Sequence, residues 1–346
     1  MTDMMKAAVF EAPGKMAVKE LPKPQLEQDD DIVIRVVRAC VCGSDLWFFR
    51  GLTPQTVGGQ TGHESIGVVE QVGSAVESVQ PGDFVVVPFP FSCGKCPVCK
   101  AGFESVCPHG GYFSACQAEY LRVPEADGTV VKVPGSPSDY TDEQLASLLT
   151  ISDVMSTGYH AAVSAEVKPG DTAVVMGDGA VGLCGVIAAK MLGASRIIAM
   201  SRHEDRAALA REFGATDIVP ERDQAAVDKV LEMTGGYGAD AVLECVGSKQ
   251  SFDTAIGLAR RGAVIGRVGL PHDVEISATG TFYANIGIKG GPAPVRHYDL
   301  NGLLDAVLNG DINPGRVFTG EYDIDHIQDA YEAMDQRKVI KALIRF

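Results

Sequence analysis

Residues 172–182 read Thr-Ala-Val-Val-Met-Gly-Asp-Gly-Ala-Val-Gly. Thr172–Met176 is an apolar, partly β-branched run of strand length. Gly177-Asp178-Gly179-Ala180-Val181-Gly182 then spells G-x-G-x-x-G, and helical spacing continues to Leu192. A strand, a glycine turn and a helix in that order form the dinucleotide-binding fingerprint. The first glycine permits the tight turn, the second lets a pyrophosphate approach the backbone, and the third lets helix and strand pack closely. The helix N-terminus favours the phosphate charge. Gly177, Gly179, Ala180, Val181 and Gly182 are therefore cofactor-binding candidates.

The same texture extends downstream. Strands are predicted at Thr172–Met176, Arg196–Met200, Asp217–Val219, Ala239–Val246, Ala263–Val268 and Asn285–Lys289. Helical stretches fall between them at Ala180–Leu192, Glu204–Phe213, Ala225–Met233 and Gln250–Ala259. Six strands alternating with helices predict an α/β fold with a doubly wound, parallel six-stranded sheet over 153–290. Cys245, Val246 and Gly269 join the cofactor-binding candidates. Residues 1–152 read differently: short β-branched runs such as Ile32–Val37 and Phe84–Val87 are separated by turn signals such as Pro81-Gly82-Asp83. After residue 291 a helix near Leu300–Leu308 and a final strand at Lys341–Phe346 are expected to return to this mostly-β domain.

Composition narrows the function classes. The chain has 346 residues, 46% apolar and 22% charged, which fits two ordinary globular domains. Lys plus Arg is 30 against 45 for Asp plus Glu, a net charge of −15. Phosphate backbones and anionic membranes both call for basic surface, so neither partner is expected. No signal peptide is recognised at the N-terminus. Ala173–Leu192 is too interrupted by Asp178, Lys190 and glycines to read as a membrane span. A cytoplasmic location is expected.

The cysteine count is 9, which is odd, so complete internal disulfide pairing is impossible. Cys93, Cys96, Cys99 and Cys107 follow the spacing C-x2-C-x2-C-x7-C in a Gly- and Pro-punctuated loop, about 92–108. Four thiolates can close a tetrahedron around one zinc and leave no open position, which defines a structural site. A disulfide knot and an iron–sulfur cluster are the competing readings. A second set is Cys42-Gly43-Ser44-Asp45, followed about twenty residues later by Gly62-His63-Glu64 and then Gly67 and Gly73. One Cys, one His and one carboxylate would leave a fourth position for water or substrate, as catalytic zinc requires. Alone, a single Cys is usually core and a His-Glu pair usually a solvated surface.

Together these residues resemble the zinc-containing medium-chain alcohol dehydrogenases, in the family's order and approximate spacing over essentially the whole chain. The resemblance implies a GroES-like catalytic domain, a Rossmann domain and two zincs per subunit. It implies Cys42 and His63 as catalytic ligands, and Asp153, shortly before Thr157-Gly158, as the third. An aspartate there looks like the bacterial secondary-alcohol dehydrogenase branch. Glu64 sits beside the metal in the family, as a direct ligand or at one remove. Cys40 shares a strand face with Cys42, but the family places the ligand directly before Gly-Ser-Asp. Ser44 matches a hydroxyl that opens a proton relay. Three residues on, many members carry a relay histidine; here Trp47 stands instead, and an indole cannot shuttle a proton. His160 is a candidate to take over, or else lines the cofactor cleft. Trp47, Phe48 and Phe49 are candidates for the substrate pocket or for plain core.

The resemblance implies reversible hydride transfer between an alcohol/carbonyl pair and a nicotinamide dinucleotide, with zinc as Lewis acid. At the end of the second strand, Ser201 and Arg202 stand where an NAD site wants an acid, which favours NADP(H) over NAD(H). Ser201-Arg202-His203-Glu204 is also a capping box. Lys341 falls where the family often places a basic residue on the pyrophosphate, and reads otherwise as an edge-strand charge. Expected partners are a small alcohol, aldehyde or ketone and further copies of the chain, as dimer or tetramer. The alternatives are an NAD-dependent polyol or aldehyde-processing dehydrogenase, and a non-catalytic cofactor-binding member.

Overall fold

The computed structural model describes residues 3–271 and 274–346. It divides into two compact units, Met1–Ser156 with Pro294–Phe346, and Thr157–Ala293. The boundaries expected at 152/153 and 290/291 thus fall a few residues further on. Asp153, expected at the opening of the dinucleotide domain, belongs to the first unit.

The first unit is built on a sheet whose spatial order is Phe318–Asp323, Lys341–Arg345, Ile32–Val41, Ser65–Val72, Phe84–Val87 and Val131–Val133. Tyr120–Val123 also pairs with Ile32–Val41. Along Ile32–Val41 only Arg35 is exposed, so this strand is buried on both faces and needs no polar alternation. Its side chains Ile32, Ile34, Val36, Ala39 and Val41 join Val85, Val87 and Leu121 in one core. The helix Ile327–Asp335 closes that core with Ile327, Ala330, Tyr331 and Met334. A hairpin, Met4–Ala12 with Lys15–Pro22, turns at Pro13-Gly14 as its composition predicts. Phe318–Asp323 and Ile327–Asp335 are additions to the predicted elements.

Asp31 anchors the entry to the central strand. Its Oδ2 accepts from Arg122 Nε at 2.7 Å and from the backbone amides of Glu27 and Gln28, each at 2.8 Å. Burial pushes its carboxyl up, but the guanidinium and the two amides outweigh this and hold it below the usual carboxylate range. A depressed carboxylate stabilises the fold above its ordinary value of about 4 and loses that contribution as pH falls through its folded value. Asp31→Asn is therefore expected to cost about 2 kcal/mol at pH 7. The gap to the parent should close in strong acid, as read by urea midpoints across pH. A gap independent of pH would show that the charge is not what matters.

The second unit holds a parallel six-stranded sheet in the order Asp217–Val219, Arg196–Met200, Thr172–Met176, Ala239–Glu244, Ala259–Arg267 and Gly287–Gly290. This is the doubly wound order 3-2-1-4-5-6 of the Rossmann fold. The first three strands occupy the predicted residues. The fourth stops at Glu244 rather than Val246, because Glu244 Oε1 accepts from the amides of Val246 and Gly247 at 2.9 and 2.8 Å and draws the chain into a turn. The sixth begins at Gly287, since Asn285 is the left-handed cap (φ 52°) of the helix Ala278–Ala284. No helix among the described residues is long and apolar enough to cross a membrane.

Candidate active site and metal centres

The strand Ile32–Val41 delivers Cys42 at its end, and Ser65–Val72 begins directly after His63 and Glu64. Asp153 sits in the turn that follows the helix Asp142–Thr150. One ligand atom from each of Cys42, His63, Glu64 and Asp153 lies within 4.8 Å of all the others. Cys42 Sγ is 3.7 Å from Asp153 Oδ2, and His63 Nε2 is 3.4 Å from the same oxygen. Asp45 stands behind the imidazole, its Oδ1 3.4 Å from Nδ1. Asp45 thereby occupies the ring nitrogen that faces away and leaves Nε2 toward the cluster. Cys42, Glu64 and Asp153 are all buried. A thiol and two carboxylates crowded in low dielectric call for a compensating cation.

Part of that compensation comes from Lys341. The sequence reading placed this lysine on an edge strand or on a cofactor phosphate. The structure places it in an interior strand, 1% exposed, with Nζ 2.6 Å from Glu64 Oε1 and 3.2 Å from the Val41 carbonyl. Burial alone would strip its proton, but Cys40, Glu64 and Cys42 together hold it well above the usual lysine range. Its ammonium is spent on Glu64. Glu64 Oε2 has no hydrogen-bond partner among the described residues. Glu64 is thus half satisfied, with one oxygen paired and one spare beside the cluster.

The four cysteines of the loop also converge. Cys93, Cys96, Cys99 and Cys107 bring their sulfurs within 4.8 Å of one another, with Cys96–Cys99 at 3.5 Å and Cys93–Cys107 at 3.6 Å. All four are free thiols, which sets the disulfide-knot reading aside. Cys96 caps the short helix Pro97–Lys100, and the amide of Cys99 pointing at its sulfur holds the thiol down at about 7.

In the second unit the glycine turn has the shape its sequence calls for. Gly177 sits at φ 105°, a conformation other residues rarely adopt. A Cβ on Gly182 would lie 1.9 Å from the Gly177 carbonyl oxygen, so that position admits only glycine. Around Gly179, by contrast, a Cβ would meet nothing within 4 Å, leaving open space at the start of the helix Ala180–Met191. Cys245 and Val246 lie against Gly177, and Gly269 crosses the 246–247 backbone. A dinucleotide pyrophosphate fits such a cradle.

Two candidate metal clusters and a glycine cradle on these folds have counterparts among known proteins. Residues 28–135 match the family model for the alcohol dehydrogenase GroES-like domain, and 180–307 match that for zinc-binding dehydrogenase. Zinc-type alcohol dehydrogenase B of Aspergillus flavus is 37% identical over 99% of this chain and 81% of its own length. The chain belongs to the zinc-containing medium-chain alcohol dehydrogenase family. It is an enzyme of that family. The solved alcohol dehydrogenase TADH from Thermus sp. ATN1 is 32% identical and superposes with a TM-score of 0.90, covering 99% of each chain. A protein described as a zinc-binding dehydrogenase of Sinorhizobium meliloti 1021, solved with NADP bound, is 26% identical with a TM-score of 0.82 and covers 99% of this chain and 100% of its own.

Other sequence readings of this dehydrogenase change. Ser201 caps no helix: the helix Glu204–Phe213 is preceded by His203, whose side chain makes no capping bond. The Ser201 hydroxyl instead donates to Asp178 Oδ2 at 2.8 Å. Arg206 reaches the same carboxylate at 3.4 Å. Arg202 is exposed and makes no ion pair among the described residues. Phe49 is core and the half-buried Phe48 packs against it: their rings lie 5.3 and 6.1 Å from Tyr331. Trp47 is only half buried in the short helix Asp45–Phe49. Ser44 precedes that helix, and its hydroxyl is not spent on a cap. Burial holds the His160 imidazole down at about 4, so it stays neutral near pH 7. Sequence reading missed Asp45, Asp178 and the Glu64–Lys341 pair; only Asp45 had a signal, the Gly-Ser-Asp that follows Cys42.

Proposed function

We propose that this dehydrogenase interconverts an alcohol and its carbonyl compound with NADP(H), using one catalytic and one structural zinc. The observation that carries the reading is the convergence of Cys42, His63 and Asp153 on one buried point beside a Glu64 already paired with Lys341. With one Glu64 oxygen held by Lys341, Cys42, His63 and Asp153 would serve as the three ligands and leave a position for substrate. When bound, the metal supplies a Lewis acid for the substrate oxygen and the dinucleotide a hydride acceptor. Asp45 orients His63 through Nδ1. Cys42 and Asp153 supply two negative charges against a divalent ion, and the Glu64–Lys341 pair adds none. The Ser44 hydroxyl, two residues from Cys42, would take the alcohol proton and pass it onward. With Trp47 three residues on, whose indole cannot accept a proton, Ser44 would release that proton to solvent. The four-cysteine loop would hold the second zinc with no open position.

For the cofactor, Arg202 is the cation available to a 2′-phosphate. One observation favours NAD(H) instead: the Asp178 carboxylate, 2.8 Å from Ser201 Oγ, places an acid at the end of the second strand. Its charge is already engaged by Ser201 and Arg206, which weakens its repulsion of a phosphate. Fluorescence titration with NADPH and NADH decides between the two. NADPH is expected to bind roughly ten- to a hundredfold tighter, the worth of a charge-assisted contact. Arg202→Ala should erase most of that preference. Equal binding in the parent would overturn it. Elemental analysis should find close to two zincs per chain, and iron would reject the four-cysteine assignment. Turnover across primary alcohols, secondary alcohols and polyols would name the substrate class.

A further inference from the structure

Beside the candidate metal cluster lies a buried amide that the proposed chemistry does not use. Gln117 is 1% exposed and sits in a segment that pairs with Thr61 and Gly62, just before His63. Its backbone is held on both sides: its N–H donates to the Thr61 carbonyl at 3.0 Å, and its carbonyl accepts from Ala8 at 2.8 Å. The side chain lies over Gly62, whose φ is 88°; a Cβ there would come 2.5 Å from Gln117 Cγ. Glycine before His63 is thus required by the glutamine on top of it.

The amide's orientation follows from its partners. Gln117 Nε2 donates to the Cys40 carbonyl at 2.9 Å and lies 3.5 Å from Asp45 Oδ2. Both groups only accept, so the NH2 must face them. The Oε1 then accepts from two hydroxyls, Thr61 Oγ1 at 2.7 Å and Tyr331 at 3.0 Å. Tyr331 is fully buried, and burial beside the Asp45 charge pushes its phenol well above the usual range, so it remains a donor. Four hydrogen-bonding groups therefore meet on one amide, from the end of the Cys42 strand, the helix Asp45–Phe49, the His63 loop and the helix Ile327–Asp335. The same Asp45 Oδ2 accepts from the Cys42 amide at 3.0 Å, while Oδ1 faces His63 Nδ1.

The geometry points to Gln117 as a positioning residue that sets the Cys42 and His63 segments in register for the metal, with Tyr331 as the donor that locks its orientation. This rests on the metal reading above and goes beyond it, since neither residue touches the cluster. Partners one step behind the ligands typically tune metal affinity ten- to a hundredfold.

The test uses cobalt(II) in place of the native metal, on the full chain. Cys42→Ala first identifies the part of the cobalt absorption that belongs to this cluster; the remainder, from the four cysteines, is an internal control. Gln117→Met keeps the length and removes the amide. It should weaken cobalt at the Cys42 cluster about ten- to a hundredfold in competition with dipicolinate, and shift its d–d bands. The four-cysteine bands and affinity should not move. Tyr331→Phe removes only the hydroxyl and should weaken the same site about three- to tenfold, the worth of one neutral hydrogen bond. If the variants merely melt earlier, with parent affinity and an unshifted spectrum, the amide is plain packing and the proposal fails. Should Gln117→Met not fold, Tyr331→Phe decides by the same two readouts. A parent chain with no Cys42-dependent cobalt spectrum would overturn the metal reading itself, and the positioning role with it.

Discussion

Cys42→Ala is expected to abolish turnover while leaving the chain folded with one zinc instead of two. The thiolate is the softest donor of its cluster, and His63 and Asp153 alone cannot hold a tetrahedral zinc. Losing a Lewis acid worth about 5 kcal/mol lowers the rate more than a thousandfold. NADPH binding should survive, because the glycine turn belongs to the other compact unit. The matched control, Cys99→Ala, should lose the other zinc and lower stability first. Retention of two zincs by Cys42→Ala would remove Cys42 from the ligand set.

Lys341→Met carries the second large effect, and it falls on stability. Lys341 and Glu64 are each buried and paired at 2.6 Å. Removing one partner of such a pair leaves an uncompensated buried charge and costs about 3–5 kcal/mol. Removing both, as in Glu64→Leu with Lys341→Met, should recover most of that loss, so the two substitutions are strongly non-additive. Denaturant midpoints of the four proteins measure this. The phosphate role first read for Lys341 makes a different forecast: a folded, stable Lys341→Met with weakened cofactor binding. That result would reject the ion pair as its main employment.

What sequence could say tracks how local each feature is. The glycine turn, the C-x2-C-x2-C-x7-C loop and the first three parallel strands are written in contiguous residues, and the structure keeps them. The ligand set around Cys42 became legible only through family resemblance, because Cys42 and Asp153 are separated by 111 residues. Glu64–Lys341 spans 277 residues and Gln117–Tyr331 spans 214, and no periodicity announces either. Ser201-Arg-His-Glu204 satisfied the capping rule on paper, yet a carboxylate in the glycine turn captured the hydroxyl first. Phe318–Asp323 escaped notice because it alternates half-buried and exposed side chains at a sheet edge and has no apolar run.

The place of Lys341–Arg345 has a consequence for biogenesis. This strand lies between Phe318–Asp323 and Ile32–Val41, and Lys341 meets the Val41 carbonyl across 300 residues. As the polypeptide leaves the ribosome, Ile32–Val41 emerges early, apolar on both faces and without its neighbour. Tyr120–Val123 can pair along residues 32–35, but residues 38–41 must wait with an open edge while the whole dinucleotide unit is translated, and such edges invite pairing with other chains. A Rossmann unit that folds in the interval shortens the effective loop and brings the late strand back toward the early one. The nascent chain is therefore most exposed to aggregation just before its last strand is made, and that is when a chaperone would protect it most.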